Sequence, residues 1–160
     1  MSQEVDTEIL CKARQAKNER GGRYIKTANM VSKLPKVKIG TDICQIDRIK
    51  SIYKRHGKRF LTRVLTKNEL KYVTSNKKNL INKLAGRFAA KEALSKVLGT
   101  GLNGVYFKEI EILREASGAP KIVLHKRAKK RAKKLGLVNF EVSISHERGF
   151  ALAIVVGVGF

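Results

Sequence analysis

The sequence predicts an α+β fold, a small antiparallel sheet packed with helices. Three observations carry that expectation. Segments with a helical apolar repeat are interleaved with segments that alternate as strands do. Two turn signals, Ser117-Gly118-Ala119-Pro120 and Glu147-Arg148-Gly149, each sit between strand-like runs in the manner of a hairpin. The 160 residues, 42% of them hydrophobic, suffice for one ordinary core and give no reason to invoke two.

Taken in order, a short strand-like run at residues 37–41 places Val37, Ile39 and Thr41 on one face and ends at Asp42. An amphipathic helix carrying Ile46, Ile49 and Tyr53 follows. Thr66-Lys67-Asn68-Glu69 is a capping box, with Leu65 and Leu70 placed for a hydrophobic staple, and opens a helix to about Thr74. A longer helix spans residues 80–98 and stops at Gly99. Residues 108–113 alternate charged and apolar side chains as a half-buried strand, with residues 121–124 as its hairpin partner. Residues 125–135 form a helix stopped by Gly136, and residues 140–145 pair with 150–158 across the second turn.

Residues 1–36 are polar and mixed in charge, contain Gly21-Gly22, and offer one short, mostly polar helix at residues 8–16. The expectation is a mobile basic extension ahead of one domain, residues 37–160. Glu4, Asp6, Glu8 and Glu19 argue against a transit peptide, which is usually poor in acids, so a cytoplasmic protein is expected. An organelle stroma is the alternative if the extension is a targeting segment. No run approaches the roughly 18 apolar residues of a membrane span. Cys11 and Cys44 form no CxxC pair and make no zinc site by themselves; they are expected to be reduced and structural.

Chemistry concentrates in LAGRFAAKEALSKVLGTG, residues 84–101. At 100 degrees per residue, Ala85, Ala89, Glu92 and Lys96 share one face, flanked by Phe88 and Ala93, so a ligand can approach the two charges closely. An i,i+4 Glu-to-Lys surface pair, worth about 0.2–0.5 kcal/mol, accounts for the same two residues. Asp42 likewise reads either as an acid at a helix N-terminus or as a ligand. One Asp and one Glu presented from two rigid elements is what a magnesium site for phosphate chemistry needs. A lysine one turn beyond the Glu would face the same phosphates and neutralise charge on the leaving group.

Four segments follow in order: Gly40-Thr41-Asp42-Ile43 with Arg48-Ile49, then Gly86-Arg87-Phe88-Ala89-Ala90-Lys91-Glu92-Ala93 with Lys96 and Gly99-Thr100-Gly101, then Gly118-Ala119-Pro120, and last Ser143-Ile144-Ser145-His146. In these segments the chain resembles the holo-acyl-carrier-protein synthases of the 4'-phosphopantetheinyl transferase superfamily. The resemblance implies that coenzyme A donates its 4'-phosphopantetheine arm to a serine of apo acyl carrier protein, for fatty acid biosynthesis, leaving adenosine 3',5'-bisphosphate. It implies Asp42 and Glu92 as magnesium ligands and Lys96 as the lysine on the pyrophosphate, these three being the catalytic residues. Arg87, Gly99, Thr100, Gly101, Pro120 and His146 would line the coenzyme A cleft, and Arg48 would dock the acidic carrier protein. It further implies a homotrimer, with clefts between subunits and three small sheets meeting at the centre. Without the motif, His146 reads as a solvated or capping residue, as His56 and His125 do.

Charge supplies the competing reading. Thirty-five basic against thirteen acidic residues give +22, and KRAKKRAKK at residues 126–134 has seven basic positions in nine. That composition suits a basic RNA-binding or ribosome-associated protein. Yet Leu124, Ala128, Ala132 and Leu135 recur at helical spacing, so the segment also reads as an amphipathic helix with a solvated basic face. A nucleic-acid role gives no reason for Asp42, Glu92 and Lys96, and with 6% aromatics no stacking motif is evident. A positive surface would equally speed encounter with an acidic carrier protein and with coenzyme A. The transferase is therefore the favoured expectation.

Overall fold

The computed structural model describes residues 34–160; the expected extension, its helix at residues 8–16 and Cys11 lie outside them. The elements run β1 (Lys36–Gln45), α1 (Ile46–Val64), α2 (Lys67–Thr74), α3 (Leu80–Val97), β2 (Ile110–Arg114), β3 (Pro120–Leu124), α4 (Lys126–Lys134), β4 (Leu137–Glu147) and β5 (Phe150–Gly159). Both expected hairpins are present. β2 and β3 pair as a two-stranded sheet, while β4 and β5 join β1 in a three-stranded antiparallel sheet of order β1-β5-β4. Pro35–Phe160 make one compact unit. No helix among the described residues is long and apolar enough to cross a membrane.

Helix α3 is the axis of the fold. It lies across the inner face of the three-stranded sheet, where Ala85, Ala89, Ala90, Ala93 and Leu94 are fully buried with Ala151, Ala153 and Val155 of β5. Small side chains let helix and sheet approach closely. A Cβ on Gly40 would stand 2.1 Å from the carbonyl oxygen of Ala93, and one on Gly86 would stand 2.9 Å from Cγ2 of Ile144. Glycine is thus required where each edge strand crosses the helix.

That close approach decides which face of β1 turns inward. Gly40 and Cys44 are buried, whereas Val37, Ile39 and Ile43 point away from α3. The alternation of Val37, Ile39 and Thr41 is therefore real but marks the outer face. Ile39 is 66% exposed and Ile43 64%, and with Leu152 and Ile154 of β5 they leave an apolar sheet surface uncovered.

Other differences from the sequence reading are local. β1 continues to Gln45, so Asp42 sits within the strand rather than at a helix N-terminus, and Asp47 is the acid in the first turn of α1. α1 is broken at Gly57 (φ 50, ψ −130). A 3-10 turn, Phe107–Glu109, replaces the expected start of β2. The capping box is formed: Thr66 Oγ1 accepts from Glu69 N, and Glu69 Oε2 accepts from Thr66 N at 2.8 Å. Leu65 and Leu70 join the core beside it.

Glu69 does more than close the cap. Its carboxylate is fully buried against Lys91 of α3, with Oε2 2.7 Å from Nζ. Lys91 Nζ also donates to the carbonyls of Val64 (2.8 Å) and Phe107 (2.9 Å), so the ammonium's three protons have three acceptors. Glu69 Oε1 accepts from Ile112 N at 2.8 Å. Burial pushes the Lys91 pKa down, and the neighbouring Glu69 pulls it back up. The pair ties the end of α1, the start of α2, the 3-10 turn and β2 to α3.

Removing one member of a buried pair strands the other charge. Lys91→Met, which nearly preserves volume, is expected to lower unfolding stability by about 3–5 kcal/mol in urea titration. A loss under about 1 kcal/mol would mean that the pair does not organise the fold.

Candidate active site

Helix α3 carries chemistry on both flanks of its sheet-facing row. On the flank beside β1, Lys96 Nζ lies 2.9 Å from Asp42 Oδ1 and donates to the Thr41 carbonyl at 2.6 Å. Lys96 thus turns from its helical neighbour Glu92 to the strand, which overturns the reading of a simple i,i+4 surface pair. Among the described residues no cation stands within ion-pair distance of Glu92. Burial raises the Glu92 pKa, the Asp42 charge raises it further, and Lys96 and Arg48 pull it the other way. The two carboxylates therefore feel one another, and the charge of Arg48 on α1 acts on Glu92. The Cys44 thiol is likewise pushed up, by burial first and then by Asp42.

The turn after α3 is tied to α4. Gly99, Thr100 and Gly101 follow directly, with Gly99 N donating to the Lys96 carbonyl. Arg131 of α4 fixes the turn by donating from Nε to the Leu98 carbonyl at 2.9 Å.

Arg87, Pro120 and His146 gather elsewhere. They line a cleft of about 480 Å³ between the start of α3, the β2–β3 hairpin and the end of β4. His146 Nε2 donates to the Asn82 carbonyl at 2.9 Å, an approach that Gly86 leaves open. Arg87 is 7% exposed, its Nε has no hydrogen-bond partner, and burial lowers its pKa. Its guanidinium lies 4.1 Å from the Tyr72 ring centre, which Lys83 (4.5 Å) and Arg114 (5.8 Å) also approach. No aspartate or glutamate lines this cleft. Three cations around one ring, with no acid among the lining residues, make a setting that suits an anion.

Tyr72, Lys83 and Arg114 escaped the sequence reading. Only Lys83 had a local signal, one turn ahead of Arg87. Two larger clefts, about 720 and 1070 Å³, lie between β3, α4 and β4 and beside Thr66, Glu111 and His125. Of the expected site residues only Pro120 reaches either one.

The structure thus brings Asp42, Glu92 and Lys96 together, and separately Arg87, Pro120 and His146, while Gly99 to Gly101 form the turn after α3, against Arg131. β1 and β4 are opposite edges of the sheet, with β5 between them. One flank suits a divalent cation and the other suits an anion.

A carboxyl with a raised pKa holds its proton more tightly folded than unfolded. The stability it contributes is present at acid pH and is lost as pH rises through the folded value. In chelator, Glu92→Gln should therefore melt above the unsubstituted protein at pH 7, with the gap closing towards pH 4. A variant that melts lower at pH 7 would show that Glu92 is not destabilised there.

Comparison with known proteins gives these two clusters a context. The model of the 4'-phosphopantetheinyl transferase superfamily matches residues 38–155. The holo-[acyl-carrier-protein] synthase of Gloeobacter violaceus is 46% identical over 123 residues, covering 77% of this chain and 93% of that protein. Among solved structures, the holo-ACP-synthase of Plasmodium yoelii superposes with TM-score 0.71 at 34% identity, covering 80% of this chain and 99% of the other. The Helicobacter pylori holo-[acyl-carrier-protein] synthase, solved in complex with coenzyme A, gives 0.66 at 36% identity, covering 74% and 98%. With a family match over most of its described length, and with the motif residues assembled on both flanks of α3, the chain belongs to the 4'-phosphopantetheinyl transferase superfamily.

Proposed function

We propose that this chain is a holo-acyl-carrier-protein synthase, moving the 4'-phosphopantetheine arm of coenzyme A to a serine of apo acyl carrier protein and releasing adenosine 3',5'-bisphosphate. The observation that carries the reading is the pairing of two charge clusters of opposite character on one helix. The substrate has a pyrophosphate and a separate 3'-phosphate, and the protein has a place for each.

Asp42 and Glu92 fit magnesium. They offer hard oxygens from two rigid elements, and the Glu92 carboxyl, its pKa raised first by burial and then by the Asp42 charge, faces a repulsion that a divalent cation would relieve. When bound there, the ion would supply charge neutralisation along the pyrophosphate. Lys96, already held at Asp42, reaches the same region and stabilises charge on the departing phosphate. Arg87, Lys83 and Arg114 take the 3'-phosphate, with His146 and Pro120 at the rim. Phosphoryl transfer of this kind rests on positioning and electrostatics, so no covalent nucleophile is called for. Arg48, exposed on α1 and electrostatically coupled to Glu92, is placed to receive an acidic carrier protein as its serine arrives.

Within one chain the two clusters occupy opposite flanks of α3. We therefore propose that a cleft is completed by two copies, Asp42, Glu92 and Lys96 from one and Arg87, Pro120 and His146 from the next. Three copies would cover the apolar outer face around Ile39, Ile43, Leu152 and Ile154.

Intact-mass analysis of apo acyl carrier protein incubated with this protein, coenzyme A and magnesium should show a gain of roughly 340 Da, the increment of phosphoryl transfer to serine. The gain should vanish with chelator and fall by orders of magnitude for Glu92→Gln; its absence with several carrier proteins would refute the transferase reading. Sharing of the site has its own test. Glu92→Gln and Arg87→Ala should each be nearly inactive, and reassembly from an equal mixture should restore about a quarter of the unsubstituted rate. No recovery would place the whole site within one chain.

A further inference from the structure

Helix α4 has a face that the transferase reading does not use. Ala128 and Ala132 are buried, and two arginines are spent on internal contacts: Arg131 on the Leu98 carbonyl, Arg127 against Glu109 and over the Tyr106 ring at 4.4 Å. Lys126, Lys129, Lys130, Lys133 and Lys134 are all exposed, and none has an acidic partner among the described residues. At 100 degrees per residue these five fall within an arc of about 140 degrees, opposite the alanines. They form two rows, 126-130-134 and 129-133, stepping about 6 Å per turn. That step is comparable to the distance between successive phosphates of a nucleic-acid strand.

We infer that α4 is a binding surface for the sugar-phosphate backbone of single-stranded nucleic acid, separate from the two clusters on α3. Ammonium groups in regular rows serve phosphates in a chain without reading sequence. The aromatic element expected to be missing is supplied at one end: Tyr106 is 60% exposed and backed by Arg127, so its ring offers a stacking platform to an unpaired base. A bilayer would need an apolar face to insert, and the apolar face of this helix is buried in its own core.

The test is fluorescence anisotropy of the full chain with a labelled single-stranded RNA of mixed sequence, across a salt series. Five phosphate contacts predict a slope of log affinity on log salt of about −3.5. Replacing all five lysines by glutamine should flatten that slope and leave the rate of phosphopantetheine transfer at saturating substrates unchanged, which also reports that the variant is folded. A control that removes five charges from α1, Lys50, Lys54, Arg55, Lys58 and Arg59 to glutamine, should retain most of the binding. Tyr106→Ala should weaken single-strand binding by about five- to a hundredfold and leave duplex binding unchanged. Equal loss in the α1 control would show diffuse charge rather than a surface, and overturns the proposal. So does absence of RNA binding at low salt. Lysine-dependent binding to mixed phosphatidylcholine and phosphatidylserine vesicles, with RNA binding indifferent to the lysines, would assign the face to lipid and overturn it equally.

Discussion

The buried pair of Lys91 and Glu69 is the constraint on which the rest of this structure rests. An ammonium taken wholly out of water is tolerated only when its protons are all received, and here the receivers come from the end of α1, the cap of α2 and the turn before β2. The same carboxylate accepts from Ile112 and so anchors the first strand of the hairpin. Elements distant in sequence are thereby held to one point on α3. Glu92, the next residue along, inherits a fixed position from a neighbour that does no chemistry itself.

The second constraint is closeness. Glycine and alanine on α3 and on the strands facing it remove the side-chain layer that usually separates helix from sheet. Asp42 of β1 consequently stands within the electrostatic reach of Glu92, and Lys96 reaches back over the strand backbone. Larger residues at Gly40 would move β1 outward and part the carboxylates. On the other edge, Gly86 does the same for His146. The geometry of the candidate site and the packing density are therefore one property here, set by residues with almost no side chain.

Much of this was legible in the sequence, and what was not has a common cause. The capping box at Thr66, the long α3, both hairpins and the alanine stripe of α4 are all local patterns, and each is formed. The segment carrying Glu92 and Lys96 was identifiable because both charges lie one turn apart. By contrast Lys91 reads as one more surface lysine, since nothing near it in sequence announces the carboxylate 22 residues earlier. The inward face of β1 was misleading because its apolar residues face out. Of the cationic cleft the resemblance indicated Arg87, Pro120 and His146, but Tyr72, Lys83 and Arg114 come from three elements and join them only in the fold.

The anatomy of α4 has a consequence for how this protein can change over generations. The helix is fastened by two alanines and two arginines, and its five outward lysines are exposed. Substitution at an exposed position such as Lys129 or Lys130 alters surface charge one unit at a time at little cost to the fold. Selection can thus adjust how strongly the molecule attracts polyanions while the inherited machinery on α3 stays untouched.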